Sequence, residues 1–592
     1  MIGPRNFLNL FKQLHKYLNS FLWLLLLLMI FVNSLPALYI WLEKNVIDQI
    51  SLMVNTNSAN IILARKIFLA YLCIRLLYEI LNYIYNLLKE NTKEKLSNAL
   101  NKEYLVKMKL IDFEHLENPI TFNLINRSKE ASDLILDTTL GFFDLLSAVI
   151  SIGTMSAIFL SINKYVVPLL IAGVVPYYFL VKKYGVTEYM QKVQQYKEQR
   201  MSSYLYGLIN NRIAIKEIHT FKTGDYLIDK WNQINNKLWH QKRELSKKYL
   251  LYQIRLHLLR YILFIFALLL IIRDIYLGKT MIGSLVILIQ TITGVQGNIL
   301  GILKKANTLS VNYERIKEWY TMKTLSEEKS NIESFNLLST KPPVIEFQNV
   351  SFTYPGKDKY AIKNLTLKIK PGEKIALVGP NGSGKSTFIA LLMGFYTPQL
   401  GKILFDRKDI TTSKEEIRDL ISCVFQHPIN YQLQIKEVIA LGDVKQEFNI
   451  EKVKERAQNT QIHNFIKMLP EEYETPLGQL EKDGYDFSGG QWQRIAIARC
   501  LYKEKAQILI LDEPTAALDP ISESNIYEKF ASYTGKKTTL LISHRLGITS
   551  LVDRILVFKE GEIVEDGTHE TLLKQKGLYA DMYLKQIKWY AI

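Results

Sequence analysis

The sequence predicts an all-α membrane domain of six helices followed by an α/β domain, and three observations carry that prediction. Six apolar segments of about the length that crosses a bilayer, roughly 20 residues, lie in the first part of the chain. From about residue 345 onward, short β-branched runs such as KIALV and QILIL alternate with helical patterns. Between one such strand and a helix-like run stands a glycine-rich loop, GPNGSGKST, at residues 379–387. The boundaries read from these changes are a membrane domain over 1–320, a linker over 321–344 and a second domain over 345–592.

The six segments are 21–42, 67–88, 138–162, 165–181, 249–272 and 281–303. Charge follows the same division. Residues 1–345 hold 41 Lys+Arg against 25 Asp+Glu, whereas 346–592 hold 33 against 32. The excess is therefore membrane-flanking charge, and no stripe of base-stacking aromatics accompanies it, which argues against nucleic acid as a partner. Cys73, Cys423 and Cys500 are widely spaced and form no CxxC pair, so neither a disulfide framework nor a zinc site is indicated.

The links after the second and fourth segments are long, charged and helical in period. Residues 182–248 carry 14 Lys+Arg against 6 Asp+Glu, which places these links and both termini in the cytoplasm. Each link has a break, at Pro119 within 113–127 and at Gly224 within 218–231. Two turns on long helical levers are the expected result. Phe7, Leu10, Phe11, Leu14, Tyr17 and Leu18 form one helical face ahead of the first segment, opposite Arg5, Lys12, His15 and Lys16, a pattern suited either to the inner membrane surface or to an amphipathic helix packed on protein. The first apolar run is too long for a signal-peptide core and is expected to remain as an anchor.

The loop at 379–387 carries the chemistry of a P-loop NTPase. The loop from Gly379 through Pro380, Asn381, Gly382 and Ser383 to Gly384 wraps phosphate oxygens with its backbone N–H groups, Pro380 having none to give; Lys385 reaches the β and γ phosphates, and Ser386, followed by Thr387, offers a hydroxyl to Mg²⁺. An apolar strand further on, QILILDEP at 507–514, ends in two carboxylates. Asp512 is placed to hold Mg²⁺, and Glu513 to orient and deprotonate the attacking water.

With these motifs in order, the second domain resembles the nucleotide-binding domain of ATP-binding cassette (ABC) transporters, and the chain resembles an ABC exporter half-transporter. The fold so implied is an all-α six-helix transmembrane domain followed by an α/β P-loop NTPase (ABC) domain. The resemblance implies that Tyr354 stacks on adenine, and that Gln426 senses Mg²⁺ and the γ phosphate beside the coupling loops. It makes FSGGQ, Phe487 to Gln491, the family signature, Asp519 part of the D-loop, and His544 the switch histidine. It also implies that Ser488, Gly489, Gly490 and Gln491 close over ATP held by the opposite subunit. Departures are Phe487 in place of the usual leucine and, before it, the absence of the common Gly-Glu-Arg-Gly pattern.

One P-loop and one signature per chain imply a dimer. Since all the site positions carry competent residue types, a homodimer with two working ATP sites is expected. Trp492 in SGGQWQ is similar to a bacterial subgroup with lantibiotic and other peptide exporters, which makes a peptide the expected cargo. No protease-like domain precedes the first segment, so leader cleavage is not expected of this chain. A lipid flippase or multidrug exporter is the alternative of the same class, and an ATP-gated channel or membrane regulator that of another. Ionisable and polar residues within or beside the segments are candidates for a pathway: Arg75, Glu79, Asp137, Asp144, Arg255, His257, Arg260, Gln290, Gln296 and Asn298.

Overall fold

The computed structural model describes residues 20–56, 61–327, 341–412, 414–479, 483–514, 534–543 and 545–590. The amphipathic segment ahead of residue 20, Asp519 and His544 lie outside the described residues. The chain divides into two compact units, one of residues 1–108 and 123–324, the other of 109–122 and 325–592.

The first unit is helical. Each of the six apolar segments falls on a long helix: Ser20–Thr56, Ile61–Leu110, Pro119–Ile162, Val166–Gln194, Gly224–Tyr276 and Ile282–Lys323. Among the described residues, Trp23–Val54 and Leu134–Ile162 are long and apolar enough to cross a membrane on length and composition alone. The breaks have local causes. Pro119 opens its helix, where a missing N–H costs nothing, and Asn118 Oδ1 accepts from Ile120 N at 2.9 Å. Gly224 opens another, with Asp225 in the first turn favourably placed against the helix dipole. A further break comes at Asn210–Asn211, where Asn211 Oδ1 accepts from Ala214 N at 3.1 Å and so caps the helix Arg212–Phe221. Arg75 and Glu79, one turn apart, pair at 3.1 Å.

The second unit holds two sheets. Strands β1 (Ile345–Phe352), β2 (Ile362–Ile369), β4 (Leu400–Phe405) and β5 (Lys408–Asp409) form an antiparallel sheet in the order β2-β1-β4-β5. The other is built from β3 (Lys374–Val378), β6 (Ile421–Val424), β7 (Ile508–Asp512), β8 (Thr538–Ile542), β9 (Arg554–Lys559) and β10 (Glu562–Gly567), and runs in the order β10-β9-β3-β8-β7-β6. Its neighbours from β9 to β6 are parallel. Every residue of β7 and β8 is buried, as expected of parallel strands covered on both faces. Phe347, Phe388, Phe405 and Phe558 centre one core. A second core joins the helices Ile435–Ala440, Ile450–Asn459, His463–Ile466 and Gly489–Tyr502.

The parallel register decides where chemistry gathers. Leu377 and Asp512 both pair with Ile542, and Val424 pairs with Leu511. The carboxyl ends of β3, β8, β7 and β6 are thus level, and the loops leaving them meet at one edge, the place where open α/β sheets bind ligands.

Candidate functional site

The loop leaving β3 is shaped by glycine. Gly379, Gly382 and Gly384 have φ of 148°, 74° and 110°, a range that L side chains rarely adopt. At Gly384 a Cβ would also lie 2.7 Å from the Ala361 carbonyl oxygen and 3.0 Å from Ile362 Cδ1. Gly384→Ala is therefore expected to lower stability by about 1–3 kcal/mol through backbone strain and to weaken nucleotide binding, as read by thermal melting and by titration with a fluorescent ATP analogue.

Lys385 opens the helix Lys385–Leu392 and folds back over the loop. Its Nζ donates to the carbonyls of Gly379 at 2.8 Å and Pro380 at 3.0 Å. Burial holds the ammonium below the usual lysine range, and the Glu513 and Asp512 charges partly offset that effect. The lysine is thereby held against its own glycine-rich loop. Asn381, Gly382 and Ser386 are exposed on it, and Ser383 and Thr387 are buried beneath.

Asp512 ends β7 and is 9% exposed. Glu513 turns out of the strand with φ 46°, its N–H held by the Ile542 carbonyl at 3.0 Å. A non-glycine residue in this region is uncommon. The turn carries the carboxylate to Gln426, whose Nε2 donates to Glu513 Oε2 at 3.1 Å. Lys385, Gln426, Asp512 and Glu513 thus meet although they come from three separate stretches of sequence. Tyr354 joins from the antiparallel sheet side. Its hydroxyl lies 3.0 Å from Thr387 Oγ1, and its ring is edge-on to Phe352 and Tyr396 at 5.2 and 5.4 Å.

The signature stands apart from this cluster. Among the described residues no hydrogen bond or ion pair joins 487–491 to 379–387. Ser488 is the N-cap of the helix Gly489–Tyr502: its Oγ accepts from Gln491 N at 3.4 Å, and Gln491 Oε1 accepts from Ser488 N at 2.8 Å. The N–H groups of the helix's first turn have no acceptor within the helix, as at any helix start, and Ser488 and Gly489 are exposed. Phe487 and Trp492 face the other way. Both are 6% exposed, and their rings lie 5.6 Å apart beside Phe465. The phenylalanine and the tryptophan complete one aromatic core, which accounts for both physically.

The turn that the sequence places within 113–127 is found beside Gln426, through contacts the sequence does not specify. Residues 109–122 belong to the second unit, and the short helix Phe113–Glu117 packs on the segment that follows the P-loop helix. Phe113 stacks on Phe395 at 5.0 Å and meets Tyr396 edge-on at 5.6 Å. Glu114 Oε1 accepts from Thr397 N at 3.0 Å, and Asp112 pairs with Lys414 at 3.4 Å. Phe395 in turn stacks on Phe425, the neighbour of Gln426, at 6.5 Å. Tyr396 touches both Phe113 and Tyr354. Burial and the nearby Glu117 and Glu114 carboxylates push its phenol up. Aromatic pairs are each worth about 0.5–1.5 kcal/mol beyond area burial. Phe113→Ala is therefore expected to loosen this contact, with faster amide exchange at Thr397 as the readout.

Residues 362–516 match the ABC transporter family. Along most of its length the chain is similar to the subtilin transport ATP-binding protein of Bacillus subtilis, at 30% identity over 93% of this chain and 89% of that protein. It is likewise similar to the nisin transport ATP-binding protein of Lactococcus lactis, at 28% identity over 88% of this chain and 87% of that one. An ATP-dependent lipid A-core flippase of Saccharophagus degradans is 42% identical over 41% of this chain. The fold resembles that of a bacterial Atm1-family ABC exporter with ATP bound, at a TM-score of 0.77, 24% identity and 95% of this chain covered.

Proposed function

This chain belongs to the ABC transporter family as an exporter half-transporter that couples ATP hydrolysis to export, and we propose that it works as a homodimer moving a peptide out across the cytoplasmic membrane. In this reading the membrane domain is 1–320, the linker 321–344 and the ATP-binding domain 345–592, with that domain and both termini cytoplasmic. The observation that carries the ATP chemistry is the meeting of Lys385, Gln426, Asp512 and Glu513 at the level ends of parallel strands. Residues 379–387 cradle the phosphates. Ser386, Gln426 and Asp512 offer the hard oxygen ligands that Mg²⁺ prefers, and bound Mg²⁺ would neutralise developing phosphate charge. Glu513 takes a proton from the attacking water, with Gln426 holding its carboxylate and His544 completing the site. Tyr354 stacks on adenine. Ser488, Gly489, Gly490 and Gln491 close on the nucleotide of the partner subunit.

Peptide cargo is favoured by reach. Two relatives matched along most of the chain are named for transport of subtilin and nisin, whereas the flippase matches over 41% of it. The helical unit supports the membrane reading with large exposed apolar side chains such as Leu27, Leu76 and Phe179, a surface suited to lipid. The test is ATP-driven accumulation of subtilin or nisin, against its gradient, in proteoliposomes holding only this protein. ATP hydrolysis with no accumulation of either would reject peptide export and favour the channel or regulator reading.

A further inference from the structure

The helical unit contains a polar cavity of about 270 Å³. Three helices line it: Asn33 from Ser20–Thr56, Asp144, Ser147 and Ser151 from Pro119–Ile162, and Asn298 and Lys305 from Ile282–Lys323. Two features make it a built site rather than a gap. The first is charge. Asp144 pairs with both Lys89 and Lys305, so this group of three carries one positive charge in excess. An ammonium has three N–H groups, and each lysine gives one to Asp144. Lys305 is 42% exposed and has donors to spare. Its remaining donors are open to a partner of opposite sign.

The second feature is room. Glycines on a membrane helix usually mark close helix packing, but among the described residues a side chain added at Gly297 or Gly301 would meet nothing within 4 Å. Both line the cavity. Ser147 Oγ, on the opposite wall, is buried, with the Tyr85 hydroxyl as its neighbour. Asn298 donates to Ser151 at 3.2 Å and keeps its carbonyl oxygen available. Lys89 follows segment 67–88 directly, Lys305 follows 281–303, and Asp144 stands early in 138–162. On the proposed orientation all three lie at the cytoplasmic mouth.

We propose that this cavity receives a carboxylate of the exported peptide: the Lys305 ammonium, with Lys89 behind it, binds the anion, and Asn298 and Ser147 bond the adjoining peptide groups. The proposal rests on the peptide-export reading. Asp144 holds the two lysines in place and limits the excess to a single charge, which suits one carboxylate.

The test uses full-length protein in detergent, free of nucleotide, and two 12-residue peptides of Ala, Leu and Ser with a neutral fluorophore at the N-terminus. The pair differs only in a C-terminal carboxylate or carboxamide. By fluorescence polarisation the carboxylate form is expected to bind about tenfold more tightly, as charge-assisted hydrogen bonds require. Lys305→Gln should erase the difference, and Asp144→Asn, which frees both ammonium groups, should widen it. Gly301→Phe fills open space and should abolish binding of both peptides with an unchanged melting temperature. Equal binding of the pair by the unsubstituted protein, or no binding of either, overturns the proposal. So does equal weakening of both peptides by Lys305→Gln and Asp144→Asn, the result of a purely structural ion pair, or displacement of the carboxylate peptide by phosphatidylglycerol in the micelle. Any of these with ATP-driven subtilin or nisin uptake intact removes the site and leaves peptide export standing. Loss of that uptake in the unsubstituted protein removes the reading itself.

Discussion

Glu513→Gln is expected to keep ATP binding and to lower hydrolysis by about 10²–10⁴-fold, the usual contribution of a positioned general base. Glutamine has the same length and places the same demands on the strained backbone at φ 46°. Its amide oxygen can still accept from Gln426, which now donates to Glu513 at 3.1 Å. Geometry is therefore conserved and only basicity is lost. Affinity for ATP should hold or rise, since one negative charge leaves the neighbourhood of Lys385 and the phosphates. The measurements are nucleotide titration and phosphate release on the same preparation, with peptide uptake expected to stop. Turnover at the unsubstituted rate would show that another group takes the proton.

The residues behind that prediction are legible in the sequence alone, because they lie in short motifs whose spacing is local. GPNGSGKST fixes its own loop through three glycines, and LDEP fixes a carboxylate pair at a strand end. The level strand ends then follow from parallel pairing. The long helices are legible for the same reason, as are their breaks at Pro119 and Gly224, where single residues act on their own backbone.

Contacts between distant stretches are not legible. Glu114 meets Thr397 across 283 positions, and nothing in FEHLE says which surface Phe113 will stack on. Asp144 stands out in the sequence as polar at the start of a span, but its lysines lie 55 and 161 positions away at the ends of other spans. They read there as ordinary membrane-flanking charge. Trp492 is legible in two ways. In the sequence it points to a peptide-exporter subgroup, in line with the subtilin and nisin transport relatives, and in the structure it is a packing position beside Phe487.

The signature makes the second large prediction, because Ser488 and Gly489 are exposed at a helix start while no bond among the described residues links 487–491 to the P-loop of the same chain. If each ATP site takes Lys385 from one copy and Ser488 from the other, lesions at the two positions should complement one another. Lys385→Ala removes the phosphate-binding ammonium, and Ser488→Arg obstructs the helix start with a bulky side chain. Homodimers of either variant have two damaged sites and should hydrolyse ATP at background. A mixed dimer, isolated through two different tags, collects both lesions in one site and leaves the other with an unaltered Lys385 and an unaltered Ser488. ATP hydrolysis by the mixed dimer is expected to rise well above both parents. Sites built within one chain would each keep one lesion, and the mixed dimer would then be as inactive as its parents. The helix dipole and the free N–H groups behind Ser488 attract an anion whichever copy supplies it, so the experiment separates the two arrangements through the pairing of chains alone.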